Sequence, residues 1–230
     1  MSPVGRVLLA GVSGMIGTQL HDLLQTARPD LGIDLLLRKP VPVQAGCEIF
    51  CGDPLTLALA DWQRAHRCCD AFVCALGTTR RAAGSLQAFA AIDCDLVVSI
   101  AKAATAAGAR QAIVVSSVGA DARSRNDYLR VKGEMQGALA GVGFDRCDFL
   151  QPSLLLGPRR AGEARFAESL GQRLAPLFNP LLPGRLRRYR AIAATEVARA
   201  AAALLGRTER GIHFHEFDAL SALARGQSAP

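Results

Sequence analysis

Short, uninterrupted apolar segments alternate with amphipathic segments along the first two thirds of the chain. The apolar segments lack the polar alternation of a half-exposed strand, which is typical of parallel strands buried on both faces. Strands are predicted at residues 4–10, 33–37, 48–51, 71–76, 111–115 and 144–150, with helices at 15–27, 57–66, 85–107 and 126–140 between them. This alternation predicts an α/β fold, in which helices cover both faces of a mostly parallel sheet.

The pattern becomes less regular after Pro152, where prolines punctuate the chain and one helix is predicted at residues 163–174. Regular spacing returns with a helix at 195–205, a last strand at 211–214 and a short helix at 216–224. No repeat or low-complexity linker separates the two parts, so we interpret residues 1–230 as a single domain. Its core covers residues 4–151, and residues 152–225 form a small C-terminal lobe on the substrate side.

The first strand ends at a glycine-rich turn, Gly11-Val-Ser-Gly14-Met-Ile-Gly17, which opens the first helix. Such a turn lets the backbone approach a pyrophosphate closely, and the helix N-terminus supplies free N–H groups and a partial positive charge. A glycine-rich turn without a ligand is the alternative. Because strand, turn and helix are in register, we predict a Rossmann-like, doubly wound dinucleotide-binding fold.

The end of the second strand carries two cations, Arg38 and Lys39. NAD-specific sites usually carry an acid there, which accepts hydrogen bonds from the ribose hydroxyls. A guanidinium can instead bind a 2′-phosphate through two parallel hydrogen bonds. Solvated surface charge would explain the pair equally well by itself, but after the glycine turn it favours NADP(H) as the cofactor.

A tyrosine and a lysine one helical turn apart, Tyr128 and Lys132, lie in the helix that follows the fifth strand. Residues i and i+4 share one face of a helix, and an ammonium there stabilises the phenolate, so the phenol can act as a general acid or base. Ser116 and Ser117 end the fifth strand, where a hydroxyl can hydrogen-bond a substrate carbonyl. A polar strand end or a helix cap is the alternative for the serines.

Composition favours a large core and a phosphate-bearing ligand. Apolar residues make up 50% of the chain and aromatic residues only 5%, which favours helices packed on a sheet. The net charge of +7 suits nucleic acid, an anionic membrane or a phosphorylated small molecule. The arginines are mostly scattered without interleaved aromatic residues, so we expect no nucleic-acid partner. One cluster either faces the cleft and favours an anionic substrate or is a solvated loop: Arg185, Arg187, Arg188 and Arg190.

The seven cysteines are odd in number and include no C-x-x-C pair, which indicates a reducing compartment rather than a disulfide framework. Cys68 and Cys69 are adjacent and the histidines lie elsewhere, so no metal site is predicted. The N-terminus lacks the pattern of a signal peptide, and no segment reaches about 18 uninterrupted apolar residues, so no membrane span is predicted. We expect a cytoplasmic protein and leave a homodimer or a protein partner open.

The glycine turn, the paired serines and Tyr128-x-x-x-Lys132 together resemble the short-chain dehydrogenase/reductase superfamily in its atypical and extended branch. Several segments are similar to the Tat-interacting-protein-like oxidoreductases and their bacterial relatives: Leu76-Gly-Thr-Thr-Arg80, residues 116–121, residues 128–134, Phe144-Asp-Arg146 and residues 152–156. The resemblance covers about residues 4–160.

The resemblance implies a role for each matching position. The pyrophosphate would be held by Gly11, Ser13, Gly14, Met15, Ile16 and Gly17, and the 2′-phosphate by Arg38 and Lys39. Asp53 would lie at the adenine, the middle of the cofactor would be lined by Leu76, Gly77, Thr78 and Ser116, and the nicotinamide would be flanked by Pro152, Leu154 and Leu155. Tyr128 would donate the proton, Lys132 would bind the nicotinamide ribose, and Ser117, with Ser116 as the runner-up, would orient the substrate. Asp93 departs from the asparagine that extended members often carry, which puts a proton relay there in doubt.

Two classes of function follow. The first is an NADP(H)-dependent oxidoreductase that acts on a small carbonyl or alcohol, and the second is a non-catalytic NADPH-binding regulator or assembly scaffold. The presence of both Tyr128 and Lys132 favours the enzyme. The C-terminal lobe has no recognisable substrate motif, so the non-catalytic function is kept as the alternative. A nucleotide-sugar epimerase or dehydratase is a third option.

Overall fold

The computed structural model describes residues 4–40, 47–65, 67–157 and 182–227. These residues form the strands β1 (Arg6–Ala10), β2 (Gly32–Leu37), β3 (Cys47–Cys51), β4 (Ala71–Cys74), β5 (Gln111–Val115), β6 (Arg146–Leu150), β7 (Leu155–Leu156), β8 (Ile192–Ala193) and β9 (Gly211–His215). Seven of them form one sheet in the order β3-β2-β1-β4-β5-β6-β9, with every neighbouring pair parallel. The short strands β7 and β8 pair separately. The prediction of a Rossmann-like α/β fold is confirmed.

The helices are α1 (Met15–Ala27), α2 (Leu55–Arg64), α3 (Arg80–Ala83), α4 (Leu86–Ala90), α5 (Val97–Ala106), α6 (Asp127–Ala140), α7 (Ala194–Leu204) and α8 (Phe217–Ala224). A π-helical turn, Ala91–Leu96, joins α4 to α5, so the single regular helix predicted at residues 85–107 is interrupted. A 3-10 helix, Gly184–Tyr189, was not predicted, and the helix predicted at residues 163–174 lies outside the described residues. Among the described helices, none is long and apolar enough to cross a membrane.

The central strand β1 is buried on both faces, as its sequence predicts. Val7 and Leu9 pack into the core beneath α1, α7 and α8, whereas Leu8 and Ala10 pack into the core beneath α2, α5 and α6. All four side chains are fully buried. Burying a side chain the size of leucine contributes about 1.5–3 kcal/mol, so the two cores together hold the end of β1 firmly in place.

The carboxyl ends of the parallel strands lie at one edge of the sheet, which we call the carboxyl edge. The chain runs from β1 outward through β2 and β3 and then returns to β4 on the other side of β1. A sheet of this kind binds ligands in the crevice at that reversal point. The glycine turn, the cation pair, the serines and the segment before Tyr128 all follow strands at this edge.

Candidate cofactor and active site

Two of the three glycines in the turn after β1 are required by the fold itself. Gly11 has a φ of +90°, and a Cβ added there would lie 2.4 Å from the carbonyl carbon of Ala75. A Cβ added at Gly17 would lie 2.1 Å from the carbonyl oxygen of Gly11. Both distances are far below van der Waals contact, so the turn can lie against the end of β4 and against α1 only without these side chains.

Gly14 has no such structural reason to be a glycine. Its φ of −86° and ψ of 170° suit any residue, and an added Cβ would meet its nearest atom, the oxygen of Gly11, at 3.4 Å. Gly14 and Ser13 are exposed, and Gly14 is the N-cap of α1 without a side chain that caps the helix. The first N–H groups of α1, including those of Met15 and Ile16, therefore lie beside an open surface, which fits a pyrophosphate.

The cations after β2 are exposed and available to a ligand. Neither Arg38 nor Lys39 forms an ion pair with another residue in the part of the chain that the structure describes. The backbone N–H of Gly52 donates to the carbonyl of Leu37 over 2.9 Å and holds the loop after β3 beside them. The exposed Asp53 follows in that loop. The residues expected at the 2′-phosphate and at the adenine thus follow neighbouring strands.

The loop after β4 is fixed at both ends. The backbone N–H of Ala75 donates to the carbonyl of Ala10 over 2.9 Å, and the N–H of Thr78 donates to Asp93 Oδ2 over 2.9 Å. Leu76 and Gly77 lie between these two anchors. The loop therefore follows the reversal point of the sheet, where the resemblance places the middle of the cofactor.

Tyr128 lies at the start of α6 and is partly exposed. The side chain of Asn126 caps the helix, since its Oδ1 accepts the N–H groups of Tyr128 and Leu129 at 3.0 and 3.3 Å. The ring of Tyr128 stacks on Phe89, with 5.6 Å between the centroids, while 36% of the residue stays exposed. Phe89 itself is fully buried, so it forms a rigid support that leaves the phenol accessible.

Lys132 is buried one turn along the same helix face, and its Nζ lies 2.7 Å from Asp93 Oδ1. Burial by itself lowers the pKa of Lys132, but the opposite charge of Asp93, with a smaller contribution from Tyr128, raises it above the ordinary value of 10.5. The sequence marks Asp93 only as a departure from asparagine and does not predict this contact with Lys132. The available signal was the apolar spacing of the helix, which places Asp93, unlike Asp95, toward the protein interior.

The structure separates the two serines after β5. The buried Ser116 Oγ accepts a hydrogen bond from Gln136 Nε2 at 2.6 Å. Ser117 Oγ donates to the adjacent carbonyl of Val118 over 3.3 Å, and this residue is only partly buried. The hydroxyl of Ser117 is the less constrained of the two, and its role in orienting a substrate stays a prediction.

The segment after β6 passes behind the serines. Pro152 is buried and its carbonyl accepts the N–H of Val118 at 3.0 Å, whereas Leu154 is 45% exposed. Leu155 lies in β7 and pairs with Ile192 of β8. Of the residues expected to flank the nicotinamide, Pro152 is therefore tied to the loop that carries Ser117, and Leu154 and Leu155 are tied to β8.

The arginine cluster lies on and just after the 3-10 helix. Arg187 pairs with Asp218 and Arg188 with Glu216, each over 2.7 Å. Arg190 donates to the carbonyl of Leu182. Arg185 is exposed and forms no ion pair with a described residue. Much of the positive charge in this cluster is thus compensated by the start of α8 and its N-cap.

Comparison with known proteins agrees with this geometry. Residues 11–142, which are more than half of the chain, match a protein-family model described as NAD(P)H-binding. The chain belongs to this NAD(P)H-binding family. It is 32% identical over 186 residues to the protein fmp52, mitochondrial, of Aspergillus niger, and the match covers 79% of each chain. It is also 32% identical over 192 residues to FMP52, mitochondrial, of Lodderomyces elongisporus, with 76% and 80% covered.

These relatives correct one prediction from the sequence. Their names assign them to mitochondria, which contradicts the prediction of a cytoplasmic protein. Odd cysteines and the absence of a signal-peptide pattern were the basis of that prediction. Unpaired cysteines are typical of any reducing compartment, so they do not distinguish the cytoplasm from mitochondria.

Solved structures share this fold, and one of them contains NAD. MoeE5 in complex with UDP-glucuronic acid and NAD superposes with a TM-score of 0.69 at 18% identity, covering 92% of this chain and 75% of that one. The ADP-L-glycero-D-manno-heptose-6-epimerase of Helicobacter pylori superposes with a TM-score of 0.66 at 14% identity, covering 93% and 77%. At these identities the likeness establishes the fold.

Proposed function

We propose that this chain is an NADP(H)-dependent oxidoreductase that interconverts a small carbonyl compound and its alcohol. The observation that carries the proposal is Gly14, which neither the backbone nor the packing requires to be a glycine. Its missing side chain leaves the uncapped start of α1 open to an anion. The exposed Arg38 and Lys39 after the neighbouring strand support a cofactor with a 2′-phosphate.

Tyr128, Lys132 and Ser117 support the catalytic part of the proposal. A nicotinamide held here would serve as hydride donor to the carbonyl carbon, or as hydride acceptor in the reverse direction. In the reducing direction, Tyr128 gives its phenolic proton to the carbonyl oxygen, to which Ser117 Oγ donates a hydrogen bond. The buried ammonium of Lys132 lies on the same helix face and stabilises the phenolate that remains.

Unpaired cations at the carboxyl edge support an anionic substrate. Arg81 in α3, Arg123 and Arg125 in the loop before Tyr128, and Arg185 are exposed and form no ion pair with a described residue. Arg125 lies only three residues before Tyr128 in the chain. A carboxylate or phosphate on the substrate would gain charge-assisted hydrogen bonds from such side chains.

Calorimetric titration of the purified chain with NADPH and with NADH tests the cofactor. We expect NADPH to bind at least about tenfold more tightly, since one charge-assisted hydrogen bond contributes roughly 1.5–3 kcal/mol. Gly14→Val should weaken NADPH binding by a similar factor and leave the unfolding transition of the free protein in place, because the backbone there accepts any side chain. Equal binding of the two cofactors would remove the NADP(H) assignment, and undiminished binding by Gly14→Val would remove the phosphate site.

A further inference from the structure

The π-helical turn Ala91–Leu96 lies within the helical segment that packs against α6. π-Helical turns are rare and occur frequently at functional sites. This turn carries Asp93, whose side chain is fully buried, whereas Asp95 two residues later is exposed. The turn thus directs one acid into the protein and leaves its neighbour in solvent.

The two oxygens of Asp93 connect two parts of the candidate site. Oδ2 accepts the backbone N–H of Thr78 at 2.9 Å, in the loop that follows β4. Oδ1 lies 2.7 Å from Nζ of Lys132 in α6 but receives no well-directed hydrogen bond from any described residue. The interaction with Lys132 is thus a close, buried ion pair.

Asp93 is the carboxylate that compensates the buried charge of Lys132. The other titratable groups that act on this lysine are Tyr128 and Cys74, and Lys132 acts in turn on Cys94. Burial raises the pKa of Cys74 to about 12 and also raises that of Cys94, so both thiols are neutral at pH 7. Glu134, which faces Cys94, is exposed and lies 3.8 Å from Arg130.

A buried ammonium without a partner destabilises the folded protein, since an ion of this size loses several kcal/mol of hydration free energy in a protein interior. An isosteric amide in place of Asp93 has one acceptor oxygen and no charge, so it could satisfy Thr78 or face Lys132 but could not neutralise the lysine. Because the pKa of Lys132 is raised in the folded protein, its protonation stabilises the fold at pH values below 10.5. This contribution to stability is lost as the pH rises through the pKa that Lys132 has in the folded protein.

We propose that Asp93 is a positioning residue that keeps Lys132 charged and fixed in place and ties it to the loop after β4. The charge of Lys132 is a property of the free protein, whereas its benefit to Tyr128 and to a nicotinamide ribose rests on the proposed function. Asp93 itself is fully buried and acts through Lys132.

The charge of Lys132 can be measured directly, because the chain has only three lysines: Lys39, Lys102 and Lys132. In protein labelled with [13C]lysine, the Cε resonance of each lysine follows its own protonation, and Lys132→Met assigns the signal of interest. Lys39 and Lys102 are exposed and serve as internal references. We expect Lys132 to titrate at a higher pH than Lys102 in the native protein. In Asp93→Asn the order should reverse, and in the matched control Asp95→Asn it should not change.

Cofactor binding supplies a second readout. NADPH affinity of Asp93→Asn should fall by about tenfold or more as the pH rises and Lys132 loses its proton, while Asp95→Asn should follow the native pH profile. The inference is overturned if Lys132 titrates with or below Lys102 in the native protein, a result that needs no variant to fold. It is equally overturned if Asp93→Asn folds and leaves the titration of Lys132 unchanged. Failure to bind NADPH in the native protein would instead refute the proposed function and leave the charge measurement intact.

Discussion

Two glycines in α6 make a matched pair with opposite expectations. A Cβ added at Gly133 would lie 2.2 Å from the backbone nitrogen of Ala122 and 2.3 Å from the carbonyl carbon of Asp121. At Gly137, one turn later, an added Cβ has nothing within 4 Å. The loop that leads from Ser117 to Tyr128 thus lies against α6 at Gly133, and alanine there must push it away.

The expected difference in stability follows from one gain that both variants share and one cost that only Gly133→Ala carries. Replacing a glycine within a helix by alanine gains roughly 0.5–1 kcal/mol, and this applies to both positions. Nonbonded heavy atoms prefer about 3.5–4.0 Å, so the Gly133→Ala loop must retreat by more than about 1 Å. Overpacking of this kind costs typically about 1–3 kcal/mol, and a shift of backbone belongs at the upper end. The difference between the variants isolates this cost.

Chemical denaturation of both variants measures the difference. We expect Gly137→Ala to be as stable as the native protein or slightly more so, and Gly133→Ala to be less stable than Gly137→Ala by about 1–3 kcal/mol. For a chain of this length, each kcal/mol corresponds to a shift in Tm of about 2–4 °C. Equal stability of the two variants would show that the loop does not contact α6 at Gly133. Loss of NADPH turnover in Gly133→Ala alone would locate the displaced loop at the active site.

Three further predictions concern the site and the sheet. Arg38→Ala should raise the Kd for NADPH about tenfold and leave that for NADH unchanged in calorimetric titration. Tyr128→Phe should lower turnover of a carbonyl substrate by about 10²–10⁴-fold without changing NADPH affinity, as steady-state kinetics and titration would show. Burial alone would raise the pKa of Asp148, but hydrogen bonds from His215 and Arg146 lower it below the ordinary 3.8. Urea unfolding at several pH values should therefore show stability that is present above pH 4 and lost as Asp148 protonates below it, and Asp148→Asn should remove this dependence.

The parallel sheet could be predicted because its signal is local and strong. Leu8 and Leu9 point to opposite faces of β1 and are both fully buried, so a strand of this kind must be apolar throughout. The start of α6 could also be predicted to within one residue, since the helix predicted from residue 126 begins at Asp127 with Asn126 as its N-cap. The glycine turn was recognised from its spacing, but only the structure shows that Gly14 differs from Gly11 in serving no packing need.

The contacts that complete the site join distant parts of the chain. Asp93 and Lys132 lie on different helices, and the π-helical turn that brings them together leaves no mark in the apolar periodicity. In the sequence, Gly133 is only a residue of low helix propensity within a predicted helix. In the structure, it is the position at which the backbone of a loop approaches α6 closely. Sequence periodicity reports which side of an element is buried, and it does not report what lies opposite.

Ion pairs occur at both edges of the sheet, but several exposed cations at the carboxyl edge form none with a described residue. Where the strands begin, Arg110 pairs with Asp145, and Arg146 binds Asp148 with two nitrogens. At the carboxyl edge, Arg125 and other exposed cations have no such partner among the described residues. Surface ion pairs contribute only about 0–1 kcal/mol each, so the missing partners matter little for stability. Their larger effect is on the field, because exposed positive charge without an acidic partner adds to the potential around the candidate site. The phosphate-bearing cofactor that we propose would therefore be attracted to this edge before any single arginine contacts it.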